Sequence, residues 1–310
     1  MPIRQRLLAS LEEIVGNLEE GKKKELEQIL DNFVGKNCWT EELEEHFTTN
    51  VINAAKTVKI AFIIVDYQND FVSGSLAIKE GDAEEDPLEA LPIINKILVE
   101  ENFEAVIYTM DWHPPNHLSF FEHARNPDRE LCSEDKSRKL RPFDIVRFVR
   151  PVNTIQVLYP AHCKQGSWGA QLHPDLIRVE GAAYMKKGTE TYVDSYSAFN
   201  NNIGIKAGEL ENFLRRADIG AVLVCGLAYD ICVFHTLKDA NKLGFLSAIV
   251  TTASKGLSED KIIEANETFQ KRGVAIVEDT IASDIARRKV VPIEWIRMLA
   301  RNASSTVNNN

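Results

Sequence analysis

Four short stretches of the chain set reactive side chains beside apolar runs. They are "IIVDYQNDF" with Asp66, "YTMDWHP" with Asp111 and His113, "LYPAHCKQGS" with His162, and "GLAYDICVFHT" with Cys232. In extended chain, residues i and i+2 share a face, so Asp111 and His113 point one way and Trp112 the other. A carboxylate and an imidazole on one face can ligate a divalent ion, but two ligands are too few. His162, in a loop flanked by Pro160 and Gly166, is available as the third. Such a set, with open positions, suits a catalytic Zn²⁺, Fe²⁺ or Mn²⁺ rather than a closed structural site. His117 reads as a group supporting the ligands, while His46, His123 and His173 sit in polar contexts that read as surface.

Cys232 falls where an apolar strand-like run gives way to an amphipathic helix. That position is expected to expose the thiol near a helix N-terminus, where the dipole favours a thiolate. A free thiol, with a pKa of about 8.5, is mostly protonated at neutral pH, so a nucleophile there needs a neighbouring cation and a base. Lys187, at the end of "LIRVEGAAYMKKG", and Asp66 are candidates, with Asp66 also able to return a proton to a leaving nitrogen. His235, three residues past Cys232 on the same helix face, offers a competing Cys/His pairing. From the residues alone, both arrangements stay open.

The elements that must hold these groups are legible in the rhythm of the chain. Residues 1–56 are helical in pattern: Leu7, Leu11, Ile14, Val15 and Leu18 recur at helical spacing, as do Leu26, Ile29, Leu30, Phe33 and Val34. Thr40, followed by Glu41 and Glu42, predicts an N-cap opening a third helix through Leu43 and Phe47. From residue 57, apolar β-branched runs (58–66, 103–111, 219–228, 246–253 and 274–279) alternate with helical stretches such as 88–101 and 258–272. Fully apolar strands with helical crossovers predict a three-layer α/β/α domain with a mostly parallel sheet over 57–298. A helical N-terminal extension precedes it, and a polar, disordered tail is expected over 299–310. In such a sheet, ligands bind beyond the carboxyl ends of the strands, where Asp66, Asp111, His113, Lys187 and Cys232 all fall.

A net charge of −10 argues against a general nucleic-acid or anionic-membrane binder. The basic stretch "KSRKLRPFDIVRFVR" (136–150) reads as a solvated insert. The absence of a signal-like N-terminus or a membrane-length apolar run, with five sparse cysteines, predicts a cytoplasmic or nuclear protein.

Together, "VDYQNDF" (65–71), "DWHPPNHLSF" (111–120), "YPAHCKQGSWGA" (159–170), "KKGTETYVDSYSAF" (186–199) and "CGLAYDICV" (225–233) resemble nicotinamidases, within the isochorismatase-like cysteine hydrolases. The motifs stand in the family's order, and the resemblance spans roughly 58–295. It implies a catalytic Asp66, Lys187 and Cys232, with Lys187 preferred over Lys186 because it precedes Gly188. It implies one divalent metal, zinc before iron or manganese, on Asp111, His113 and His162. The peptide before Ala228 corresponds to a cis bond, and the Ala228 and Cys232 N–H groups to an oxyanion hole. Phe71 and Tyr159 correspond to the ring pocket, with Gln68 close by.

The implied reaction is hydrolysis of nicotinamide to nicotinate and ammonia through a cysteine thioester, a step of NAD salvage. Tyr159 stands where the family often has tryptophan, which bears on ring-analogue preference. The stretch 121–157, with Cys132, reads as an insertion at the surface, a lid or an oligomer contact. Two other readings are an amidase of the same superfamily acting on another small amide, and a binding or scaffold protein with an unused site. The Asp111/His113/His162 set speaks against the first, the complete Asp66/Lys187/Cys232 set against the second. The N-terminal helices read as an appendage for packing or for a partner, and a homo-oligomer is a further expectation.

Overall fold

The computed structural model describes residues 1–16, 19–34, 38–205 and 208–307. The expected strands form: β1 (Lys59–Val65), β2 (Ala105–Asp111), β6 (Ala183–Lys187), β7 (Ile219–Leu227), β8 (Leu246–Lys255) and β9 (Ala275–Val277). They build one sheet in the order β6-β2-β1-β7-β8-β9, and every neighbouring pair is parallel. Three further strands, β3 (Glu130–Leu131), β4 (Ile145–Arg150) and β5 (Thr154–Val157), form a small antiparallel sheet.

The central strands are apolar throughout because each feeds two cores. Along β1, Ile60, Phe62 and Ile64 enter one core, and Ala61, Ile63 and Val65 the other. β7 divides the same way, with Leu223 and Cys225 on one side and Val222 and Val224 on the other. Fully burying each such side chain contributes about 1.5–3 kcal/mol, which favours a sheet covered on both faces. The first core is closed by helices Pro87–Glu100, Asp279–Ala286 and Ile293–Val307, the second by Glu209–Arg216, Phe234–Lys242 and Glu259–Arg272.

The N-terminal helices Ile3–Val15, Glu20–Val34 and Glu41–Phe47 form at the expected positions. The last is capped by Thr40, whose hydroxyl accepts from the Leu43 N–H at 3.3 Å, and continues through the π-helical segment Thr48–Asn53 to Thr57. Leu7, Leu11, Ile14, Leu26, Leu30 and Phe47 are buried in the first core together with β1. Leu18 lies outside the described residues.

The tail departs from expectation. Rather than unstructured chain from residue 299, helix Ile293–Val307 packs on Glu20–Val34. Ala300 and Ala303 are buried. These two small residues, three apart, lie in the first core, a signal hidden by the polar composition around them. Residues 308–310 lie outside the described residues. The 121–157 stretch becomes an arm with its own core of Leu118, Leu131, Leu140, Val146, Phe148 and Leu158. No helix among the described residues is long and apolar enough to cross a membrane.

Candidate active site

The strand order sets the carboxyl ends of β6, β2, β1 and β7 side by side, and each delivers a polar group to the same point. Register pairs Asp111 with Lys187, so both side chains leave the same face of the sheet. Lys186, one residue earlier, turns away, and its ammonium lies 3.8 Å from the centre of the Trp112 ring. Strand alternation thus assigns the two adjacent lysines opposite faces.

Lys187 is buried and its Nζ touches four groups. It lies 2.7 Å from Asp66 Oδ2 and 2.5 Å from Asp111 Oδ1, and donates to Cys232 Sγ at 3.3 Å and the Ser195 carbonyl at 3.1 Å. Ligand atoms of Asp66, Asp111 and Cys232 all lie within 4.8 Å of one another. Asp66 is fully buried, with a left-handed φ of 47°. The Thr109 hydroxyl donates to its Oδ1 at 2.6 Å. Cys232 follows β7 in the π-helical turn Tyr229–Val233 that opens helix Phe234–Lys242. Its expected exposure is corrected: the residue is 6% exposed, at the wall of a small cavity.

Burial dominates the titration of these groups. It pushes the Cys232 thiol well above its ordinary value, opposed by the Lys187 ammonium. It lifts Asp66 to about 6, again against Lys187. Burial also acts to raise Asp111, but Lys187 and His113 bring it well below the usual carboxylate range. Lys187 stays charged despite burial because Asp111 and Asp66 flank it. At neutral pH the resting arrangement is a protonated thiol beside an ionised Asp66 and a cationic Lys187.

Asp111, His113 and His162 meet beside this cluster. The His113 and His162 Nε2 atoms lie 3.5 and 3.9 Å from Asp111 Oδ2. Each ring turns its Nδ1 to a carbonyl, His113 to Gly188 at 2.9 Å and His162 to Pro160 at 2.8 Å. A Nδ1–H donated to those carbonyls leaves both Nε2 lone pairs facing Asp111, the arrangement a metal-ligating imidazole needs. Burial and His113 hold His162 at about 4, whereas Asp111 holds His113 above its ordinary value against burial. Gly188, at φ +62°, is required here because a Cβ would stand 2.4 Å from His113 Cε1. These donors fit a divalent cation with open coordination positions.

His113, His117 and Asp194 also group within 4.8 Å. His117 stacks on His113 at 4.1 Å, but its nitrogens face Ser119 Oγ at 2.7 Å and the Val193 carbonyl at 3.4 Å. Asp194 accepts from Gln156 and from the Ser195 N–H. The second grouping is thereby engaged in protein hydrogen bonds.

Phe71, Tyr159, Ala228 and Cys232 line a cavity of about 20 Å³ with Asp111, His113 and His162. Gln68 does not line it: its amide clamps the Asp111 peptide, donating to the Asp111 carbonyl and accepting from the Asp111 N–H, both at 2.8 Å. The Leu227–Ala228 peptide is cis. The Cys/His alternative finds no support, because His235 Nδ1 pairs with Lys238 at 3.1 Å and its ring packs on Tyr196 and Phe234. Asp194, Tyr196, Leu76, Ile78, Ile231 and Leu257 complete the lining and were not singled out from sequence. Asp194 and Tyr196 stand inside "KKGTETYVDSYSAF", so that motif carried a usable signal. Ile231 likewise stands inside "CGLAYDICV", whereas Leu76, Ile78 and Leu257 belong to segments with no pattern of their own.

Comparison with known proteins places this geometry among relatives. The isochorismatase domain model matches residues 60–280. A nicotinamidase of Escherichia coli (strain K12) is 36% identical over 201 residues, 64% of this chain and 84% of the relative. Among solved structures, PnC1 from L. infantum in complex with nicotinate superposes with a TM-score of 0.57 at 31% identity, covering 72% of this chain and 94% of that one. The pyrazinamidase of Pyrococcus horikoshii in complex with zinc gives 0.52 at 28% identity, covering 71% and 99%.

Proposed function

The chain belongs to the isochorismatase family and is a hydrolase acting on an amide, and on that premise we propose that it is a nicotinamidase, converting nicotinamide and water to nicotinate and ammonia in NAD salvage. The observation that carries this reading is the single buried ammonium of Lys187, held at once by Asp66, Asp111 and the Cys232 sulfur beside a donor set suited to a metal.

Asp66, ionised at neutral pH, takes the proton of the Cys232 thiol, and Lys187 compensates the negative charge that remains on sulfur. The thiolate adds to the carboxamide carbon, and the N–H groups of Ala228 and Cys232 receive the oxyanion. Protonated Asp66 hands its proton to the departing nitrogen, the C–N bond breaks, and ammonia leaves a thioester on Cys232. Asp66 then takes a proton from water as its oxygen attacks the thioester carbon, releasing nicotinate and restoring the thiol. Asp111, His113 and His162 would hold the divalent cation, zinc first, which when bound supplies an electrophilic anchor for the pyridine nitrogen. Phe71 and Tyr159 confine the ring and exclude water.

Intact-protein mass spectrometry during turnover, with nicotinate and ammonia assays alongside, tests this reading. A nicotinoyl adduct on Cys232 with both products formed is expected. Metal-replete protein that yields neither adduct nor product overturns it.

A further inference from the structure

Beside the catalytic cavity lies a second, larger one of about 550 Å³. The two share Leu76, Tyr159, Ile231 and Leu257 as a common partition. Its lining also takes in Ala77, Val157 and Phe143, the last two from the β3–β5 arm, with Glu80, Asp82, Asp230 and Lys261 among the remaining residues. Phe143 is held at φ +70°, its N–H donating to the Leu158 carbonyl at 2.5 Å, and its ring meets Tyr159 edge-on at 6.0 Å. The residue is 54% exposed, so the arm is set to present an aromatic wall to the cavity rather than to fill its own core.

We propose that this outer cavity is a substrate subsite, taking an apolar substituent on the pyridine ring, and that Phe143 determines its selectivity. The inference rests on the nicotinamidase reading and extends its substrate class. With the ring nitrogen and the carboxamide carbon both anchored, the carbon meta to both points away from the two anchors. A group on that carbon needs room beyond the ring pocket, which the outer cavity adjoins through the four shared residues. The partition is made of apolar side chains without hydrogen bonds at their tips, apart from the Tyr159 hydroxyl, which lies 3.4 Å from that of Tyr196. A substituent reaching the outer cavity passes along these apolar side chains.

The test compares kcat/KM of the full-length, metal-replete chain for nicotinamide and for nicotinamides bearing methyl, propyl or phenyl on that carbon. Calorimetric binding of the corresponding phenyl-substituted nicotinate is measured alongside. The propyl compound is expected within about twentyfold of nicotinamide, with the substituted acid binding measurably. Phe143→Ala should lower the propyl-to-nicotinamide ratio at least fivefold, and Ala77→Phe, which fills the space from the opposite wall, should do the same. Normal nicotinamide turnover with a larger propyl penalty, or a ratio unmoved in both variants, overturns the subsite and leaves the cavity an entry path only. Absence of turnover with nicotinamide itself overturns both readings.

Discussion

Lys187 illustrates what single residues do in this protein. Its ammonium keeps two buried carboxylates together, so its removal leaves Asp66 and Asp111 facing each other without a counter-charge. Lys187→Met is expected to cost about 3 kcal/mol of stability, read by denaturant unfolding, together with activity. Cys232→Ala should lower turnover at least about 10³-fold while the melting temperature stays near that of the parent; retained turnover would remove Cys232 as nucleophile. His113→Ala should reduce bound metal, measured by elemental analysis, and weaken nicotinamide binding. Away from these ligands, burial holds His235 at about 4, below an ordinary imidazole near 6.5. The unfolded chain therefore binds more protons between those values, and stability rises with pH from about 4 to 6.5. His235→Gln should flatten that rise in a melting-temperature series. Much of this was legible in sequence, because strand alternation and strand ends locate Asp66, Asp111 and Lys187. The role of Gln68 was not, since a side chain that clamps a neighbouring strand's peptide looks the same in sequence as one that faces a ligand.

Between strands, the site depends on backbones approaching closely where side chains would not fit. At Gly226, φ is +119° and a Cβ would stand 2.1 Å from the Val65 carbonyl oxygen. This contact draws the end of β7 against the end of β1, setting Cys232 within reach of Asp66. Gly226→Ala is expected to destabilise by about 3 kcal/mol and to depress activity in the fraction that folds, measured by unfolding and steady-state kinetics on the same preparation. The strands themselves were readable as short, fully apolar, β-branched runs. The cavity walls from Leu76 and Leu257 were not, since loop residues acquire meaning only when distant segments converge.

Across the whole molecule, the N-terminal helices and helix Ile293–Val307 are built into the same core as the sheet. The Val291 N–H donates to the Ile14 carbonyl at 2.8 Å, and buried Trp295 donates to the Ser247 carbonyl on β8 at 3.0 Å. Leu11→Ala should cost about 2–5 kcal/mol while leaving the nicotinamide KM within twofold, a split that separates support from chemistry. Helical periodicity revealed the first helices, but nothing local showed that they would meet the far end of the chain. That meeting gives the polypeptide the character of a closed loop. The helical segment before β1 and the one after β9 are neighbours, so a short covalent bridge between them should be tolerated. A force applied through helices Ile3–Val15 and Ile293–Val307 would detach those segments first, uncovering one flank of the sheet before any strand separates.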